Sequence, residues 1–298
     1  MKKTVKLFAV ILAAAVFALC LAACGGNNTS SVTSGEPTAS ETKTELVKYV
    51  DVKLTDEQYA FAVNPNDADL LKAANDLLAE LKANGKFDEI VNKYFKGEGT
   101  PAGVSAGTVD ASKEQLVVAT NTPFSPFEYK DGDKFYGVDM EIAALLAEKL
   151  GQELVIVDME FDSIVTSVNT GNADIGMAGL TISEDRKALV NFTEPYYEAS
   201  QVVICKAEDT SFDACKTAEE VEAVINGLAE STKVGFQTGT TGGLYVEGDE
   251  DWGFTGFKVQ AVGYESAAVA VTDMLNGNLA FVVVDEAPAV NIVKAVNE

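Results

Sequence analysis

Histidine is absent from this 298-residue chain, and arginine occurs once, at Arg186, among 22 basic residues. Without histidine, zinc sites of the usual kind and imidazole acid–base catalysis are excluded. The four cysteines form no cluster, so no metal or other cofactor is expected. Positive charge is scarce altogether: 46 acidic residues give a formal net charge of −24. That balance argues against nucleic acid as a partner and against a basic membrane-binding face; it otherwise describes a solvated acidic surface. A GxxxxGK[ST] loop is also missing, which argues against a nucleotide site. Apolar residues, by contrast, make up 47% of the chain, too many for a disordered one, and the length suits two domains with a real core.

The first 23 residues read as an export signal: Lys2, Lys3 and Lys6, an apolar run from Leu7 to Leu19, then small residues. The run is short for a spanning helix. Leu21-Ala22-Ala23-Cys24 resembles a bacterial lipobox, with cleavage before Cys24 and a lipid on its thiol; an ordinary signal or an anchor helix is the alternative. Residues 24–44, rich in Ser, Thr and Gly, read as a flexible tether. Cys205 and Cys215 remain, either as a disulfide or as two buried thiols.

From residue 115 strands and helices alternate. QLVVAT (115–120), ELVIVDM (153–159), ADIGMAG (173–179), KVGFQTG (233–239), FKVQAV (257–262) and LAFVVVD (279–285) read as strands, with amphipathic helices between them. Such crossovers imply mainly parallel sheets covered on both faces, in two α/β lobes that divide near 201–207. Ahead of this body, LTDEQYAFAV (54–63) reads as a strand and 67–95 as two helices. Leu70, Leu71, Ala74, Leu77, Leu78 and Leu81 form one apolar stripe, which needs a docking partner. Residues 97–112, GEGTPAGVSAGTVDAS, read as a flexible linker.

Three strand ends carry chemistry, and in α/β sheets ligands bind at the carboxyl ends of strands. After Ala178-Gly179-Leu180-Thr181 comes the lone arginine, whose planar fork of donors suits a carboxylate; a packing arginine is the bland alternative. Gln237-Thr238-Gly239-Thr240-Thr241 runs from a strand into a helix, where free backbone N–H groups favour an anion, although Thr and Gly also make ordinary caps. The apolar strand 279–284 delivers Asp285, either as a cation partner or as a helix cap. Two anion-holding sites and one carboxylate match the charges of a free α-amino acid.

LVVATNTPFSPFEYKDGDKFYGVDMEIA, AGLTISEDRKALVNFTEPYY, KVGFQTGTTGG and FVVVDEAP resemble motifs of the substrate-binding proteins of polar amino acid ABC importers (solute-binding protein family 3). The resemblance covers nearly all of 45–298. It implies an α/β, two-lobed periplasmic binding protein type II fold whose hinge strands let it close over one L-amino acid. It further implies that Arg186 grips the α-carboxylate, aided by backbone N–H groups at Thr181 and Thr241, with Thr240 among the ligand-binding residues. Asp285 and the Gly179 carbonyl take the α-ammonium, and Phe124 and Phe161 sandwich the side chain. Asn121 and Gln237 lie at the side-chain end. Asn121 stands where relatives often carry aspartate, and no other acid is evident there, so the expected ligand is neutral and polar, of glutamine-like size. A basic amino acid is the alternative, and a dehydratase built on the same fold is a second.

The implied order is also displaced. In the family a segment like 54–95 closes the chain; here it comes first, and 287–298 followed by 45–63 reads like uninterrupted family sequence. Circular permutation is therefore expected, with 97–112 joining the usual ends across roughly 20–24 Å; an unrelated helical hairpin, or the remnant of a tandem copy before a truncated domain, is the alternative. Lobe one would be 57–204, and lobe two 45–56 plus 205–298. The whole would be a monomer, held by Cys24 on the outer face of the bacterial cell membrane, serving the permease subunits of an importer without catalysis of its own.

Overall fold

A computed structural model describes residues 44–298, so the signal, lipobox and tether expected before them, Cys20 and Cys24 included, lie outside the described residues. The described chain begins with three short strands, β1 (Val47–Val50), β2 (Glu57–Tyr59) and β3 (Ala62–Val63), followed by helices α1 (Ala68–Ala83) and α2 (Lys86–Phe95). Next come β4 (Gln115–Thr120), β5 (Tyr129–Asp131), β6 (Lys134–Tyr136), α3 (Val138–Leu150), β7 (Glu153–Asp158), α4 (Ile164–Asn169) and β8 (Ile175–Gly176). Helix α5 (Glu184–Lys187), β9 (Asn191–Phe192), β10 (Tyr197–Ala199) and β11 (Gln201–Lys206) lead into the second half. That half adds α6 (Ala218–Asn226), β12 (Lys233–Gln237), α7 (Thr241–Glu247), β13 (Gln260–Tyr264), α8 (Ala267–Leu275), β14 (Phe281–Asp285) and α9 (Glu286–Asn297).

Two five-stranded sheets organise these elements, ordered β7-β4-β8-β3-β9 and β1-β11-β14-β12-β13, with a separate β2–β10 ladder. Each sheet has three parallel strands on one side, β7-β4-β8 and β14-β12-β13, whereas β3 in the first and β1 and β11 in the second run antiparallel to their neighbours. The sheets are thus more mixed than the strand–helix alternation implies. The antiparallel strands are the ones by which the chain passes between sheets: β1 leads through β2 to β3, and β10 through Ser200 to β11. Two passages side by side form a hinge. Strand β11 belongs to the second sheet from Gln201 onward, slightly ahead of the boundary drawn at 205.

The apolar stripe of the leading helices finds its partner. Leu70, Ala74, Leu77, Leu78 and Leu81 of α1, with Phe87 and Ile90 of α2, share one core with Leu116 of β4 and Ile142 and Leu146 of α3. Beside this core Lys93 Nζ donates to both Glu141 carboxylate oxygens at 2.9 and 2.7 Å, and Tyr94 donates at 2.6 Å to the same group. The buried pair therefore fixes α2 on α3. Residues 97–112 are not a free span. Val104 exchanges backbone hydrogen bonds with Phe135 at 2.8 and 3.0 Å, Gly107 donates to Leu154 at 2.8 Å, and Val104 and Ala106 pack on the core. Their Gly and Ser content suggested flexibility, but two small apolar side chains and a sheet edge were enough to seat them. Cys205 and Cys215 are both buried free thiols, and burial pushes the Cys205 thiol up to about 11.

Candidate functional site

The two sheets face each other across the hinge, and side chains from their facing ends meet there. Gly179 makes the first turn possible: its φ of +55° is in the left-handed region, and a Cβ there would fall 2.8 Å from the Phe124 ring. This turn ends β8's extension and brings Thr181 alongside Tyr59 of β2. Ser183 then caps α5 by accepting from the Arg186 N–H, which places Arg186 in the helix's first turns and aims its side chain back toward the cleft. The guanidinium donates to the Thr181 carbonyl at 2.7 Å and, across the cleft, to the Gly239 carbonyl at 3.0 Å. It also lies 5.4 Å from the Phe161 ring centre, a cation–π distance. Burial lowers its pKa, and the nearby Asp185, Glu57 and Asp285 oppose that shift.

From the second lobe, β14 delivers Asp285, which accepts a hydrogen bond from the hydroxyl of Tyr59. Burial, with Glu57 as a neighbouring charge, pushes the Asp285 carboxyl up to about 7, against the opposing hydrogen bonds from Tyr59 and Gln201. Thr241 donates to Thr181 Oγ1 at 3.4 Å, and Thr181 donates in turn to Glu57 Oε2 at 2.8 Å. Gln237 Nε2 donates to Asn121 Oδ1 at 2.7 Å, while Asn121 Nδ2 donates to the Met159 carbonyl at 2.6 Å. The lobes are therefore closed on one another through polar groups.

All ten residues singled out from the sequence lie in this region. Asn121, Phe124, Gly179, Thr181 and Arg186 of lobe one contact one another or the facing lobe directly, as do Gln237, Thr241 and Asp285 of lobe two. Phe161 underlies Arg186. Thr240 is the N-cap residue of α7, but its hydroxyl donates to the Gln237 carbonyl at 2.8 Å and is spent within its own turn. Phe124 packs on Gly179 and stacks with Phe127 at 6.0 Å.

Four further side chains at the cleft have no plain signal in the sequence. Glu57 and Tyr59 face the cleft from β2, and Gln201 donates to Glu57 Oε1 at 3.0 Å. Asp139, in the first turn of α3, accepts from the Gly179 N–H at 3.1 Å and from Tyr196 at 2.7 Å. It thus anchors the turn that carries the site, and burial pushes its carboxyl up to about 7. The only signal for Glu57 and Tyr59 was their buried–exposed–buried spacing, and a charged TDEQ run hides it. At the outer edge of the cleft a cavity of about 210 Å³ is lined by Glu160, Phe161 and Asp162 of lobe one and Thr238, Gly263, Tyr264 and Glu265 of lobe two. Its three charged groups are all carboxylates.

Two mixed α/β lobes, a two-strand hinge and a polar cleft between them define a clamshell binding protein. Residues 116–288 match the bacterial extracellular solute-binding proteins, family 3, and the chain belongs to that family. It is 35% identical over 109 residues to the arginine-binding extracellular protein ArtP of Bacillus subtilis (strain 168), which covers 37% of this chain and 43% of that protein. Among solved structures, holo ArgBP from T. maritima is 31% identical with a TM-score of 0.52, covering 61% of this chain and 74% of that one. An ancestral arginine-binding protein bound to glutamine is 31% identical with a TM-score of 0.51 over the same shares. The chain spans less than two thirds of the length of the first curated relatives it matches.

Proposed function

We propose that this protein is the extracytoplasmic receptor of an amino acid ABC importer, and that its ligand is a free L-amino acid with a cationic side chain. Arg186 carries the reading. It is the chain's one guanidinium, it is buried in the closed cleft, and among the described residues its hydrogen bonds go only to carbonyls of the two lobes. A carboxylate is the ligand group that suits such a fork. Asp285, on the facing lobe, is the partner for the α-ammonium, and the Phe124 and Phe161 rings flank the side chain. Binding needs no chemistry: closure replaces the water around a zwitterion with fixed charges and dipoles.

The glutamine-like ligand expected from the sequence rested on seeing no acid near the side chain. The fold brings three carboxylates to the cleft edge beside Phe161 and a fourth, Glu57, into the cleft. Arginine and lysine satisfy that surroundings better than glutamine, in keeping with the arginine-binding names among the relatives. Calorimetry with the common amino acids tests this: tightest binding by glutamine would return the ligand to the neutral class.

We infer, further, that the chain order is a circular permutation. Asn297 of α9 accepts from the Leu46 N–H at 2.8 Å and donates to the Val47 carbonyl at 2.9 Å, so α9 and β1 adjoin where family sequence would run on. The lipid anchor at Cys24, the membrane location it implies and the monomeric state belong to the same proposal. Among the described residues no helix is long and apolar enough to cross a membrane. Mass spectrometry of the exported protein, showing a diacylated Cys24 or an unmodified cleavage product, decides the anchor.

A further inference from the structure

Inside the three carboxylates of the cleft edge, Glu57 and Asp285 are buried near one guanidinium. Glu57 is 4% exposed, Asp285 5% and Arg186 8%. Among the described residues every side-chain hydrogen-bond partner of the Glu57 carboxylate is neutral: Thr55 Oγ1 at 2.6 Å and Gln201 Nε2 at 3.0 Å on one oxygen, Thr181 Oγ1 at 2.8 Å on the other. Asp285 is bonded to Tyr59, also neutral. Gln201 adds a further acceptor, because its Oε1 is buried against Gly242 without a donor. The cleft is therefore rich in acceptors and anions, and a ligand must supply what opposes them.

An amino acid zwitterion engages Arg186 through its carboxylate and Asp285 through its ammonium. That leaves Glu57 as an anion in excess, in a space where an unbalanced charge is costly. We propose that Glu57, carried on hinge strand β2, is a specificity-determining residue. Acting through Thr181 and through its field, it sets the charge of the closed cleft so that an amino acid with one additional positive charge is taken in preference to a neutral one. Glu57 does not touch the ligand in this scheme; its oxygens are already occupied, and its influence is that of a positioned charge. A chain of hydroxyls, Thr241 to Thr181 at 3.4 Å and Thr181 to Glu57 at 2.8 Å, crosses the cleft and ends on that charge. The neighbouring titratable groups are Asp285 on β14, Tyr59 on β2, Arg186 with Asp185 on α5 and, through its interaction with Asp285, the buried Glu128. This inference rests on the cationic ligand proposed above.

The test is isothermal titration of the full chain with L-arginine and with L-glutamine, for wild type, Glu57→Gln and Glu57→Asp. Wild type should prefer arginine. Glu57→Gln, isosteric and still able to accept from Thr181, should lower the arginine-to-glutamine affinity ratio by about tenfold or more, and Glu57→Asp should restore most of it. An arginine preference that persists unchanged in Glu57→Gln overturns the role of Glu57 and leaves the cationic ligand standing. A wild type that prefers glutamine overturns both. Should Glu57→Gln fail to fold, wild type alone still decides, by titration at pH 7 in buffers of different ionisation enthalpy. Glutamine leaves the repulsion between Glu57 and Asp285 uncompensated, whereas arginine offsets it, so arginine should release more protons than glutamine. Equal release by the two ligands contradicts the proposal.

Discussion

If Arg186 grips the ligand carboxylate as proposed, Arg186→Ala leaves that group without its fork while the rest of the cleft still excludes water, and binding should weaken by about 2–5 kcal/mol. A change in affinity below about threefold, with the fold intact by circular dichroism, would remove Arg186 from that role. The buried acids give a second residue-scale prediction. Asp285 and Asp139 both have carboxyls pushed up to about 7 by burial. Folded, each holds a proton that the unfolded chain has already released. Their stabilising contribution is therefore complete below the unfolded value near ~4 and is lost as pH rises through about 7. The ligand-free protein should melt at a lower temperature at pH 8 than at pH 5, and Asp285→Asn should flatten that slope. A slope in Asp285→Asn equal to wild type would contradict the assignment. At this scale Arg186 and Asp285 were legible because each is conspicuous: one arginine in the chain, and one aspartate at the end of an apolar run. Glu57 was not, since a glutamate in a TDEQ run looks solvated until the fold pairs β2 with β10 and buries every second residue.

Helices α1 and α2 announce themselves by a 3.6-residue apolar period, and the structure buries that stripe against α3 and β4. Leu77→Ala or Leu78→Ala should cost about 2–5 kcal/mol of stability in urea titrations, because α3 cannot close the space. Removing 44–96 altogether should prevent folding, since β3 sits between β8 and β9 and β1 edges the other sheet. A folded, ligand-binding remainder would contradict this account of the leading segment. Strands of two or three residues, such as β3, β8 and β9, carry too little periodicity to be read alone; their pairing is settled by tertiary contacts. The same holds for 97–112, whose composition speaks for flexibility while its backbone bonds to Phe135 and Leu154 fix its path.

Across the whole molecule, the order of segments and the geometry of the cleft are separable. If the chain is a permuted relative, moving 45–96 behind Glu298 should yield a protein that folds and binds with an affinity within about threefold of the original; failure to fold would argue against permutation. The cleft itself depends on closure: Asn121–Gln237, Tyr59–Asp285 and Arg186–Gly239 all cross between lobes. The central claim is that these lobes close over a free amino acid held by Arg186 and Asp285. Titration calorimetry of the full chain with L-arginine, L-lysine and L-glutamine tests it most directly. The account predicts one binding event per chain, tightest for a cationic amino acid and lost in Arg186→Ala. Absence of binding by any free amino acid, or binding indifferent to Arg186, would contradict it.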